Sequence, residues 1–286
     1  MKVETALAVL QSRTVRYSSP LSFNDPFDIQ AGLHFEFDIN SLHDKVLDRI
    51  EALASGAKEP SVDTENVWGK IVLSAREHFG THGFPRARWK EMTKNLFGEL
   101  TQLIQETQRE FQRHWESMLP RIRVFSVTEE KDNLLMWAHY AVDHTGATFE
   151  FWSLPDEDNT LSVARRVEYV ETPPPFFTET QWVNFLTGLG EVEGDALFRR
   201  YAYIKSHHWS YEREWRVWYP YSNSSEKFDV VNIRPSEFKA IYLGCRMHPS
   251  QKEKILHLVK ANFPDAQVFQ AYKNEGTYSL RFEKIK

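Results

Sequence analysis

Residues 86–118 place Trp89, Met92, Leu96, Leu100, Leu103, Ile104, Phe111, Trp115 and Met118 at spacings of mostly three and four, and the run stops before Pro120. That period requires one long helix. Two shorter helical patterns precede it, at about 41–54, with Leu42, Val46, Ile50 and Leu53 on one stripe, and at about 64–79; the segment 55–63 between them reads as a linker. On both sides of this block the pattern changes to strands. The order strand-rich, helix-rich, strand-rich excludes a regular alternating βα fold. It predicts one α+β domain over 1–286, with a mixed or antiparallel sheet core and a helical insertion at about 40–120.

The flanking segments can be read in more detail. Residues 4–11 form a short helix and Thr14–Tyr17 a strand, while Leu33, Phe35 and Phe37 alternate with polar residues as in a half-buried strand. After Pro120, strands are expected at 121–127, 146–152 and 162–170, a helical stretch at 178–206, and a strand at 209–219 rich in Trp, Tyr and Val. Strands at 228–233 and 238–243, a helix at 249–262 and a hairpin turning across Lys273–Gly276 close the chain.

Composition narrows the class. Aromatics are 14% of the chain, enough for a sizeable core and far from the make-up of a disordered chain. The formal net charge of −5 argues against coating nucleic acid by bulk charge, so nucleic acid is not expected as a partner. The one cysteine, Cys245, excludes an internal disulfide and a multi-cysteine zinc site. No stretch approaches the ~20 apolar residues that cross a bilayer, and no signal-peptide pattern opens the chain. A cytoplasmic protein without a membrane is therefore expected.

Three segments mix polar and aromatic residues where a plain core element would not. Arg16-Tyr17-Ser18 leads into Ser22-Phe23-Asn24-Asp25-Pro26-Phe27-Asp28, where Asn24 and Asp25 are good turn formers and, with Arg16, candidate cofactor contacts. Leu134–Gly146 reads as a short helix with Gly146 as its C-cap; it offers Trp137, His139 and Tyr140. His139 and His144 are five apart and diverge on a helix, which is poor zinc geometry, so no metal site is expected. His139 instead suits a proton carrier or a packed hydrogen-bonding residue. The third segment is Lys205–Trp218. On a strand, Glu212, Glu214 and Arg216 would share one face, two carboxylates that repel unless a cation sits between them, with Arg216 as the candidate. Such a pair either forms an ion-paired sheet face or acts as general acid and base.

These segments resemble a bacterial domain-of-unknown-function family numbered 2971. Ser18–Asp28 is similar to its N-terminal signature, Phe125-Ser126 with Met136–Tyr140 and Gly146 to its central one, and Trp209–Arg216 to its C-terminal one. The order and spacing also match over most of 13–245. The resemblance implies no assigned reaction. A more distant similarity is to ADP-ribosyltransferase-like folds, which bind NAD in a cleft between two small sheets. There the similarity implies NAD as substrate, Arg16 pairing with its pyrophosphate, Tyr140 or Trp137 stacking on nicotinamide, and Glu214 holding ribose hydroxyls and stabilising an oxocarbenium-like transition state. Such enzymes serve as toxins, effectors or phage-defence components. The strand that usually precedes the first helix in those folds is missing here, and Arg16 follows the helix instead.

Three functions are open at this point. An ADP-ribosyltransferase-like enzyme with a small nucleotide ligand requires Arg16, His139, Tyr140 and Glu214 to converge on a pocket. A nuclease or phosphodiesterase requires Glu212, Glu214 and His139 within metal-bridging distance. A non-catalytic binding or regulatory module requires these groups buried and paired with one another, with no cleft, and makes the 86–118 helix the surface for a protein partner or homodimer.

Overall fold

The computed structural model describes residues 1–36, 38–55, 67–79, 83–153, 159–187, 194–219 and 222–286. Along the chain lie α1 (Val3–Ser12), β1 (Thr14–Ser18), α2 (Ile39–Ala54), α3 (Val67–Phe79), α4 (Arg86–Met118), β2 (Arg123–Thr128), α5 (Leu134–Tyr140) and β3 (Ala147–Phe151). Next come β4 (Arg165–Arg166), β5 (Glu168–Val170), α6 (Glu179–Leu186), α7 (Gly194–Tyr201), β6 (Ile204–Ser206) and β7 (Glu214–Tyr219). The chain closes with β8 (Phe228–Asn232), β9 (Phe238–Leu243), α8 (Pro249–Asn262), β10 (Gln267–Lys273) and β11 (Leu280–Lys284). This is the expected α+β class. The described part of the expected 55–63 linker is Ser55 alone. Among the described residues, no helix is long and apolar enough to cross a membrane.

The chain divides into two compact units. The first comprises residues 1–30, 118–171 and 203–286, and the second residues 31–117 and 172–202.

The first unit is built on two sheets. One is antiparallel with strand order β4-β7-β2-β1-β8; the other runs β11-β10-β9-β3 and is mixed, because β9 and β10 are parallel. Parallel neighbours need a crossover, and α8 supplies it. The core of this unit joins Ala6 and Leu10 of α1, Val15 and Tyr17 of β1, Val217 of β7, Ile241 and Leu243 of β9, Ile255 and Val259 of α8 and Val268 of β10. Alternation along the antiparallel sheet then decides what faces the other way. Val15 and Tyr17 point into the core, so Arg16 points out of it; Val217 points in, so Glu214 and Arg216 leave on the opposite side. Ser126 pairs with Arg216 and Thr128 with Glu214, so these polar residues form one row across β2 and β7. Two glycines permit close backbone approach where β3 meets β9. A Cβ on Gly244 would press into the His144 carbonyl, and one on Gly146 into the Met1 carbonyl.

The second unit is helical. Leu42, Val46, Ile50 and Leu53 are fully buried along α2, as their stripe predicts. Trp115 of α4 stacks on Phe198 of α7 with ring centroids 5.8 Å apart, and Phe176 lies 4.9 Å from the same ring. A capping box between Thr178 and Gln181 starts α6.

Five expected elements differ, the first being the helix expected to end at Gly146, which ends at Tyr140 with Ala141 as its C-cap. Leu33–Glu36 form no strand despite their alternation; the Leu33 N–H goes to the Gln112 side chain rather than to a sheet partner. The segment 162–170 splits, with β4 pairing β7 and β5 pairing β6. The helical stretch 178–206 is α6, α7 and then β6, with residues 188–193 outside the described ones. The strand at 209–219 begins only at Glu214, because His207–Glu212 form a 3-10 helix.

Candidate functional site

The polar row of the antiparallel sheet forms part of an open cleft of about 1120 Å³ within the first unit. Residues of both sheets line it, among them Arg16, Ser126 and Glu214 from one and Thr148, Glu150 and Tyr242 from the other.

Its floor is set by the turn that precedes β7. Arg213 is held in the left-handed region at φ 44°, and its N–H closes on the Ser210 carbonyl. That single reversal brings Glu212, at the end of the 3-10 helix, and Glu214, at the start of the strand, onto the same ammonium group. Lys205 Nζ donates to Glu212 Oε2 at 2.5 Å and to Glu214 Oε2 at 3.0 Å. The turn is pinned from two sides. Thr128 Oγ1 donates to the Glu212 carbonyl at 2.6 Å, and Asn133 Nδ2 to the Tyr211 carbonyl at 2.9 Å. The same Asn133 caps α5 by accepting from the N–H groups of Leu135 and Met136, so the helix carrying Tyr140 is tied to the turn carrying Glu212. Tyr140 then donates its hydroxyl to Glu212 Oε1 at 2.5 Å.

A third carboxylate comes from the loop after β1. Asp25 Oδ1 accepts the Phe27 N–H at 2.9 Å, a tight Asx turn, and the chain passes Asp28 into Ile29, which sits at φ 62°. A β-branched residue in the left-handed region is strained and persists only when its surroundings over-determine it. Asp28 Oδ2 accepts from Arg216 Nη2 at 2.5 Å and lies 3.5 Å from Lys205 Nζ. Arg216 also gives Nε to Glu214 Oε1 at 2.7 Å. Asp28, Lys205, Glu212, Glu214 and Arg216 expose between 1% and 6% of their surface, so five ionisable groups are buried together.

Buried charge is tolerated here because it is paired. Burial would push the Glu214 carboxyl up, but the Arg216 guanidinium, Lys205 and a hydrogen bond from Ser126 pull it down to about 2. For Asp28 burial wins over Arg216 and Lys205, and its pKa is raised. Burial also works against the Lys205 ammonium, yet Glu214, Asp28 and Glu212 hold its pKa above the usual value. The Tyr140 hydroxyl is pushed up by burial and by donating to Glu212.

The depressed Glu214 pKa fixes a sign. Its folded value of about 2 lies below the ordinary 4.5, so its stabilisation is complete above that ordinary value and is lost as pH falls toward 2. The raised Asp28 acts in the opposite sense and offsets part of this. Urea denaturation of wild type is expected to lose on the order of 2 kcal/mol between about pH 5 and pH 3 through Glu214. Glu214→Gln removes that term, and its stability must change less over the same range.

Of the residues singled out from sequence, Arg16, Asn24, Trp137, His139, Tyr140, Glu212 and Glu214 line the same cleft. Their surroundings differ. The Arg16 guanidinium lies 4.3 Å over the Phe228 ring and, among the described residues, has no carboxylate partner. His139 Nδ1 is 3.1 Å from the Tyr211 hydroxyl. Trp137 is only 2% exposed, and its indole N–H donates to the Lys131 carbonyl, so it packs in the core and cannot stack on a ligand. Asp25 holds the loop rather than facing the cleft. Arg216 is not the cation between Glu212 and Glu214; Lys205 is, and Arg216 instead joins Glu214 to Asp28. Sequence reading missed Lys205 and Asp28 as site residues. Lys205 sits seven and nine positions before its two glutamates, and only the reversal at Arg213 makes that spacing meaningful. Among the described residues, no group of three or more His, Cys, Asp or Glu is placed to hold a metal ion.

No curated protein and no solved structure matches the chain. A family model does match, over residues 136–217, a span that begins in α5 and ends in β7 and so contains Tyr140, Lys205, Glu212, Glu214 and Arg216. Over that span the chain resembles the family described as Protein of unknown function (DUF2971).

Proposed function

We propose that the cleft of the first unit binds a nucleotide, NAD, and that the chain is a transferase of ADP-ribosyltransferase-like type. The observation that carries this reading is the pairing of an ionised Glu214 on the floor with an Arg16 on the wall that has no carboxylate partner among the described residues. Cleaving the glycosidic bond of NAD sends the electron pair out with nicotinamide and leaves positive charge on the ribose. The floor, with three carboxylates against two cations, is built to face such a charge. Arg16 meets the pyrophosphate as a fork-shaped donor. Tyr140, 38% exposed, takes the stacking role that buried Trp137 cannot. The bond then forms to a target nucleophile or to water, which gives up its proton to solvent. A toxin, effector or phage-defence role is the setting such chemistry serves.

A second reading has its own support. Every oxygen of Glu212 and Glu214 already has a donor, as a fold-specifying network in a binding or regulatory module requires, although that reading also calls for no cleft and these residues line one. The nuclease reading has less, because both glutamates are already bound to Lys205.

A thermal-shift titration with NAD, ADP-ribose, ATP and GTP separates them. Binding to the native state raises its melting temperature. A rise with NAD that Glu214→Gln alters without loss of fold is the expected result. No rise with any nucleotide removes the NAD reading.

A further inference from the structure

We propose that Asp28 is a ligand-binding residue, the acceptor for a sugar hydroxyl at the cleft floor. The inference rests on the nucleotide reading above but concerns a different carboxylate. Of the oxygens of Asp28, Glu212 and Glu214, those of both glutamates accept hydrogen bonds from Tyr140, Lys205 or Arg216. Asp28 Oδ2 accepts from Arg216. Asp28 Oδ1 alone is buried without a donor, on a residue that is 3% exposed and lines the cleft. Buried acceptors are normally satisfied, so an unsatisfied one on a residue that lines the cleft marks where a ligand donor belongs.

The neighbours decide the chemistry of that donor. A cation arriving at Oδ1 would stand beside Lys205 and Arg216, and an anion beside three carboxylates. A neutral hydroxyl meets neither repulsion. Asn24 and Tyr140, which also line the cleft, give its sugar further polar contacts. The phosphate end of the ligand goes to Arg16.

The test is calorimetry on the full chain with ribose 5-phosphate, its 2-deoxy and 3-deoxy analogues, inorganic phosphate and NAD. Ribose 5-phosphate is expected to bind about tenfold or more tightly than at least one deoxy analogue, the usual value of a hydrogen bond to a charged group. In Asp28→Asn the amide oxygen must serve Arg216, which leaves an NH₂ where Oδ1 stood. The ratio should then fall to about one in a chain shown by circular dichroism to be folded. If that variant does not fold, the wild-type ratio decides alone. Equal binding of all three sugars by wild type, or of inorganic phosphate and ribose 5-phosphate, overturns the proposal. Discrimination without NAD binding supports the hydroxyl site and removes NAD as its ligand; NAD binding without discrimination overturns the hydroxyl site and leaves NAD. No binding of any probe overturns both.

Discussion

Lys205→Met is expected to destabilise the protein by about 3–5 kcal/mol at pH 7, the range for removing one partner of a buried ion pair. Lys205 is 6% exposed and lies within 3.5 Å of Asp28, Glu212 and Glu214. Without it, the Arg216 guanidinium serves Asp28 and Glu214, and Glu212 keeps the Tyr140 hydroxyl. The loss must also depend on pH in a stated direction. Losing the ammonium removes a charge that lowers the pKa of Asp28 and of Glu214, so both rise and the penalty fades as these groups take up protons. The deficit against wild type should therefore shrink between pH 7 and about pH 4.5. Urea denaturation of both proteins at the two pH values measures it. A deficit below about 1 kcal/mol at pH 7, the scale of an exposed pair, would mean that the cluster is open to water.

Glu214→Gln is expected to lower NAD turnover, followed as nicotinamide release, by about 10²–10³-fold, the usual cost of losing one preorganised electrostatic contact to a transition state. Glutamine keeps the shape but not the charge, and it offers Arg216 and Lys205 one acceptor where they had two. A stability loss will accompany the change, so turnover is compared at a temperature where circular dichroism shows both proteins folded. If wild type releases nicotinamide and the variant does so equally fast, Glu214 is a structural anchor and the charge facing the sugar comes from elsewhere.

Much of the fold could be read from local patterns. The stripe of Leu42, Val46, Ile50 and Leu53 is buried as its period requires, and the hairpin across Lys273–Gly276 joins β10 to β11. What could not be read depends on distant partners. The alternation at Leu33–Phe37 has the strand period, but the Leu33 N–H bonds the Gln112 side chain of α4. No nearby residue shows that Trp115 will stack on Phe198. The site was legible to the same extent. Glu214, Tyr140 and Arg16 stood out by residue type and do line one cleft. The cation that holds the glutamates did not stand out, because its place depends on a non-glycine residue, Arg213, taking a left-handed conformation that no propensity favours. Trp137 stood out for the wrong reason: a large aromatic beside polar residues reads as a stacking surface, whereas here its N–H is satisfied by Lys131 and the ring is core.

The most direct measurement is a calorimetric titration of NAD into wild type and Arg16→Ala. Arg16 is exposed and, among the described residues, its side chain contacts the Phe228 ring and has no ion-pair partner, so the variant should fold as wild type does. Saturable binding to wild type that weakens about tenfold or more in Arg16→Ala, with an unchanged melting temperature, is the expected result. No heat with wild type at millimolar NAD, or binding that is indifferent to Arg16, would contradict a nucleotide cleft in the first unit.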